Sequence, residues 1–329
     1  MIDHDFLKAF TEVPSVGTAC NPVLNLLTAR LGSAWSRRWV SDGYALFQRR
    51  RGNIEDIKVI FIAHVDEVGG IVYGGHGEGE FLTRCIGNVP QIFADAELQG
   101  FDYLAEQGTE AFPVQGRVGL VGEEERLLLS GDAIRPYRTV FTYRQETTFQ
   151  GDTISGKALD PRVTAYAVME AALALDTPEV GLLFVMAEEC AMDVARKAVT
   201  FLQQNAVELR LLINADVPGV QNIGDGRLEM PAIRIFEGRN FIDPMFGIRM
   251  ADQMEAEGVE FHLSAARSGS QTLLFTPLAP TLSIALPSEG VHLPSVNMSL
   301  KGTERCIALL KALGASALHN RLPLSLEVD

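Results

Sequence analysis

The sequence has no apolar run approaching the about 18 residues that cross a bilayer as a helix, so no membrane partner is expected. It is also short of basic charge. Lys and Arg number 28 against 42 Asp and Glu, a formal net charge of −14. A nucleic-acid binder needs a basic face to displace counterions, so that class is excluded. Cysteine is scarce: Cys20, Cys85, Cys190 and Cys306 are scattered, with no CxxC pair. That excludes a disulfide framework or a zinc knuckle and reads as reduced thiols in a cytoplasmic protein. The N-terminal stretch MIDHDFLKAFTEVPSV has acids where a signal peptide needs basic residues, and no continuous apolar segment.

What is present is an ordinary globular balance, 47% hydrophobic and 21% charged residues. The 329 residues suggest about two domains. DHDFLKAFTEV has helical apolar spacing and is interrupted by Pro14 and Gly17. NPVLNLLTARL follows, with Asn21 as the expected N-cap and Pro22 at the first helical position. Strands are expected in GYALFQRR and DIKVIFIAH.

From residue 71 to about 150 glycine is frequent, apolar runs are short and turn signals recur, which predicts a β-rich module. From 151 helices and strands alternate. RVTAYAVMEAALAL, MDVARKAVTFLQQN, MFGIRMADQMEAEG and KGTERCIALLKALGASAL read as helices. EVGLLFVMA, ELRLLINA and TLSIALP read as strands. The expectation is an α/β domain formed by 1–70 and 151–329, its mixed sheet covered by helices on both faces, with 71–150 as a small β-rich insertion.

Open α/β sheets bind ligands beyond the carboxyl ends of their strands, so the residues that follow each apolar run matter most. VIFIAHVDEVGG runs from 59 to 70 and places His64, Asp66 and Glu67 directly after a strand. Glu188 and Glu189 follow GLLFVMA, Asp216 follows LRLLINA, and His292 follows TLSIALPSEGV. Asp160 precedes a helix in GKALDPR. Singly, each has an ordinary structural reading: a turn histidine, a solvated glutamate pair, a helix cap, an Asx turn. Together they crowd carboxylates on one rim, and that repulsion needs a cation. Mixed His and carboxylate donors suit zinc, cobalt or manganese.

The count fits a two-metal hydrolase, whose ions lie about 3.5–4 Å apart and share a bridging carboxylate. Asp160 is the candidate bridge. His64 and Asp216 would complete one site, Glu189 and His292 the other. Glu188 would be the general base that takes a proton from the metal-bound water. Asp66 would orient His64 through its second ring nitrogen. Glu67 has no assignment. Gly69 and Gly70 are expected to let the chain turn toward the inserted module.

The ordered motifs AHVDEVGG, GKALDPR, AEE, NADVPG and PSEGVHLP resemble those of the TET-type metallo-aminopeptidases, including glutamyl, leucyl and lysyl enzymes, often mislabelled as endoglucanases. The resemblance covers nearly the whole chain, PAIRIFEGRNFIDP included. It implies an aminopeptidase with a di-metal site, usually zinc or cobalt, acting on peptide substrates. It matches His64, Asp160, Glu189, Asp216 and His292 to metal ligands, Glu188 to the catalytic base and Asp66 to the orienting acid. It also implies that the insertion serves a dimer-based homo-oligomer, up to a dodecamer.

The chain departs from the family pattern at three places. Gln271 stands where the family has an acid, Glu289 and Gly290 where it has Arg-Tyr, and Pro161 where it has Asp or Asn. None removes a ligand. If Glu289 faces the pocket, it would disfavour acidic N-terminal residues by charge repulsion. Related di-metal exopeptidases and deacylases tend to carry their extra domain after the Glu-Glu motif, unlike this chain. A two-carboxylate glycosidase would leave His64 and His292 without a role. An idle metal-binding homologue would not need Glu188.

Overall fold

The computed structural model describes residues 2–41, 43–104, 111–190, 192–205, 208–223 and 227–323. Residues 105–110 of the expected β-rich insertion lie outside the described residues.

Three runs, Val59–His64, Val180–Val185 and Leu211–Asp216, are almost wholly apolar because the sheet they form is covered on both faces. Val180–Val185, Val59–His64, Leu211–Asp216 and Thr281–Ala285 lie side by side and parallel, in that order. Antiparallel strands flank them: Tyr44–Arg49 and Trp35–Ser41 on one side, Ala232–Glu237 on the other. Among the described residues the sheet has nine strands, and it is mixed, as expected.

Alternation along Val59–His64 divides the core. Val59, Phe61 and Ala63 pack with the helices His4–Glu12, Asn21–Leu31, Leu159–Leu175 and Leu300–Leu318. Ile60 and Ile62 pack on the opposite face with Ala195, Ala198 and Leu202 of the helix Ala195–Asn205. Leu159–Leu175 is apolar nearly all round, and most of its residues are buried. No helix among the described residues is long and apolar enough to cross a membrane.

The inserted module is a closed barrel. Its strands run in the order Gly69–Gly77, Glu80–Ile86, Glu124–Ser130, Phe112–Val121, Leu98–Asp102, Thr139–Tyr143, and the last pairs back onto the first. Phe93, Phe141 and Tyr143 meet inside it.

Two local expectations need correction, and two features without a sequence assignment find their place. Cys20, not Asn21, is the N-cap of Asn21–Leu31, so Asn21 is the first helical residue. Gly69 and Gly70 do not make a turn: they are the first residues of a barrel strand. A side chain on either would run into the carbonyl of Phe141 or of Arg84, so close backbone approach is what demands glycine. Glu67 is buried and structural. It accepts from Lys157 Nζ at 2.7 and 2.9 Å, from the Ser15 amide at 3.1 Å and from Thr142 Oγ1 at 2.9 Å. The strands Trp35–Ser41, Ala232–Glu237, His262–Ala266 and Val296–Ser299 lacked a sequence assignment. They are short or carry charges that blur the alternation.

Candidate metal centre and active site

The parallel strands end on one rim, and the rim carries the acids and imidazoles. His64 and Asp216 are the last residues of two strands that pair directly. Glu188 and Glu189 follow Val180–Val185 through Ala187, which takes a left-handed φ of 67°. His292 lies in the loop after Thr281–Ala285, also left-handed at 65°. Asp160 sits in the first turn of Leu159–Leu175 with extended, non-helical backbone, φ −83° and ψ 112°, and its bond to Pro161 is cis. That backbone aims its carboxylate at the rim.

All five expected ligands converge. His64, Asp160 and Asp216 bring donor atoms within 4.8 Å of one another, and so do Asp160, Glu189 and His292. Asp160 belongs to both groups and divides its oxygens between them. Its Oδ1 lies 3.2 Å from His64 Nε2, and its Oδ2 lies 3.6 Å from His292 Nε2. His64 Nε2 is 3.5 Å from Asp216 Oδ1, and His292 Nε2 is 3.2 Å from Glu189 Oε2. A tetrahedral ion with bonds of about 2.1 Å separates neighbouring donors by about 3.4 Å. The donor set and its spacing therefore fit two metal positions flanking Asp160.

Asp66, fully buried, supports this cluster from behind. Its Oδ1 faces His64 Nδ1 at 3.4 Å, and its two oxygens accept the backbone amides of Glu188 and Glu189 at 3.0 and 3.2 Å. The sequence suggested the first contact and gave no sign of the other two.

Without a cation, the cluster must hold protons to offset its charge. Burial opposes a charged His64, but the carboxylates of Asp160, Asp216 and Asp66 outweigh it and hold its pKa well above the usual value. Burial likewise opposes a charged His292, yet Asp160 and Glu189 hold its pKa up at about 9. Burial pushes Glu188 up to about 8 against the pull of His64, helped by Asp216, Asp66 and Asp160. Burial and then Asp160 push Glu189 upward as well. Asp216 goes the other way: despite burial, His64 and Arg234 hold it below the usual carboxylate range.

Arg234 was not singled out in the sequence, although an arginine inside the apolar run AIRIF is itself a signal. It is buried in the strand Ala232–Glu237 behind the site. Its guanidinium lies 3.3 Å from Asp216 Oδ2 and 2.8 Å from Glu237 Oε1, and its Nε donates to Ser283 Oγ at 2.8 Å.

The cluster opens into a cavity of about 430 Å³. Beyond the metal-type ligands, its walls include Glu188, Gly87, Asn222, Ser268 and Val291. Glu289 is not a wall residue: it is exposed and pairs through its backbone with Asn297. Glu289 is therefore not placed to repel an acidic N-terminal residue in the cavity. Gln271 is buried outside the cavity lining, donating to Asn214 Oδ1 at 3.1 Å. Gln271 and Glu289 thus both fall outside the cavity walls.

No protein-family model matches the chain, and no curated protein matches it. Solved structures do. An aminopeptidase from the archaeon Desulfurococcus kamchatkensis superposes with a TM-score of 0.79 at 17% identity, covering 99% of this chain and 98% of its own. The TET1 peptidase of Pyrococcus horikoshii, which can assemble into a tetrahedron or a large octahedral shell, gives 0.77 at 18% identity over 94% and 98%. A Thermotoga maritima protein named an endoglucanase gives 0.69 at 17% over 96% and 99%. The chain has the fold of these proteins.

Proposed function

We propose that this chain is a di-metal aminopeptidase that removes N-terminal residues from peptides. The observation that carries the reading is the Asp160 carboxylate, one oxygen turned to His64 and the other to His292. With two ions bound, that carboxylate would be placed to serve both. The fold shared with an aminopeptidase and a TET peptidase supports the choice of reaction.

His64, Asp160 and Asp216 would hold one ion, and Asp160, Glu189 and His292 the other. Zinc or cobalt suits the donors best, with manganese a third candidate. Two such ions supply Lewis-acid polarisation of the scissile carbonyl and a nucleophile at neutral pH. The chain's own residues do the rest. Glu188 lines the cavity without belonging to either ligand group, so its carboxylate is free to accept the proton of the attacking water and pass it to the leaving amine. Asp66 fixes the loop that carries Glu188 and Glu189 through two backbone amides. Arg234 holds Asp216 ionised and in place.

We extend to this chain the homo-oligomeric assembly of the Pyrococcus horikoshii protein, with the barrel as the module that serves it. The four free cysteines fit a reducing compartment. The test is metal analysis of the purified protein, followed by a panel of substrates with free N-terminal amino acids, with and without added cobalt or zinc. Bound metal and chelator-sensitive release of the N-terminal residue support the proposal. Absence of both would leave an idle homologue. Release of acyl groups in place of N-terminal residues would point to the related deacylases.

A further inference from the structure

The two ligand groups are built differently. His64 and Asp216 end paired strands in the middle of the sheet, and the side chain of His64 is only 3% exposed. His292 lies in a loop, in a left-handed conformation, with a side chain 38% exposed. Its ring faces Asp160 and Glu189 of its own domain, while the hydrogen bonds to its backbone carbonyl come from the barrel.

Asn88 follows the barrel strand Glu80–Ile86, and Tyr143 ends the strand Thr139–Tyr143. The Asn88 amide donates to the backbone carbonyl of His292 at 2.8 Å, and the Tyr143 hydroxyl donates to the same carbonyl at 3.2 Å. Asn88 Nδ2 also donates to the Tyr143 oxygen at 3.2 Å, closing a three-membered ring of hydrogen bonds. Each member is fixed in turn. Asn88 Oδ1 accepts the Val89 amide at 2.9 Å, which sets the direction of its NH2. The Tyr143 ring stacks on Phe93 at 4.9 Å inside the barrel. One residue earlier, Gly87 lies against Glu189: a methyl group there would sit 3.1 Å from Glu189 Oε2. The segment Gly87–Asn88 therefore lies beside both non-bridging residues of the Asp160–Glu189–His292 group.

We propose that the barrel completes one of the two metal positions, with Asn88 and Tyr143 as positioning residues for His292. The inference rests on the di-metal reading above. The position at His64, Asp160 and Asp216 is built from two sheet strands and the helix Leu159–Leu175. The position at Asp160, Glu189 and His292 depends on the barrel, so the two ions differ in how their affinity responds to changes there.

The test is a stepwise cobalt titration of the metal-free full chain, followed by visible absorption and calorimetry. Wild type is compared with Tyr143→Phe and with Asn88→Ala/Tyr143→Phe. Arg138→Ala serves as the barrel control, since it removes the Arg138–Asp102 pair outside the cavity walls. Wild type and the control should take up two equivalents. The double variant should keep the first step and weaken the second about 10–100-fold, with cleavage restored at excess cobalt. Tyr143→Phe keeps the ring packing and should show a smaller shift in the same step, which covers the case of a double variant that does not fold. Two unchanged steps in the variants, or equal weakening of both, would overturn the inference and leave the di-metal reading standing. A wild type that takes up fewer than two equivalents would overturn both.

Discussion

Asp66 Oδ1 accepts the backbone amide of Glu188 at 3.0 Å. The candidate general base is thus held by the acid that also supports His64, and Asp66 ties two neighbouring strand ends together. Asp66→Asn is close in shape but presents an NH2 where an amide donor already points. A loss of about 10–100-fold in metal affinity or turnover is expected, since groups that orient ligands act on that scale. Metal titration and steady-state kinetics on the same preparation check it. A variant with wild-type values in both would remove Asp66 from the site's support.

Glu188 lines the cavity and stands outside both ligand groups. Glu188→Gln should therefore retain two equivalents of metal while losing about 10²–10⁴ in kcat. Loss of metal in parallel would make Glu188 a ligand instead of a base. Atomic absorption of the purified variant beside its turnover separates the two.

Lys157 and Glu67 form a fully buried ion pair at 2.7 Å, and Thr142 of the barrel strand Thr139–Tyr143 donates to the same carboxylate. Removing one partner strands the other charge in the core. Lys157→Met should cost about 3–5 kcal/mol of stability, and the double variant Lys157→Met/Glu67→Gln should recover part of it. Equilibrium unfolding in urea measures both. Equal stability of the single and double variants would show that Arg162, 3.8 Å from Glu67, already compensates the stranded charge.

The metal-free protein should lose stability as pH rises. His292 is held up at about 9 and Glu188 at about 8, both above their ordinary values of 6.5 and 4.5. Each raised group binds more protons folded than unfolded. The Glu188 share is therefore full below about pH 4.5 and lost by about 8; the His292 share is full below about 6.5 and lost by about 9. Asp216, held low, contributes above its ordinary value of 3.8 and loses that share only as the medium becomes strongly acidic. Thermal unfolding of chelated protein from pH 6 to 9 should show a falling midpoint, and added zinc should flatten the slope. A midpoint that rises over this range in the chelated protein would contradict the assigned protonation states.

The rim of acids and imidazoles was legible in the sequence because parallel strands covered on both faces must be apolar along their length. His64, Glu188, Glu189 and Asp216 stand out where those runs end. Asp160 and His292 were readable only as members of that set, since their placement depends on an extended residue in a helix's first turn and on a left-handed loop residue. The supports were not legible. Asn88 and Tyr143 act on a carbonyl more than 100 residues away in the chain, 204 and 149 positions respectively. Local pattern carries no record of such a contact. Gly69 and Gly70 look like a turn and are a site of close strand packing, because the sequence cannot distinguish the two demands for a missing Cβ.

The central claim is tested most directly by product analysis of one peptide in two forms, with a free and with an acetylated N-terminus, incubated with the cobalt- or zinc-loaded protein. The account predicts that single residues are released in order from the free form alone, that a chelator stops the release, and that returned metal restores it. Internal cleavage, equal cleavage of the acetylated form, or release that survives complete removal of metal would contradict it.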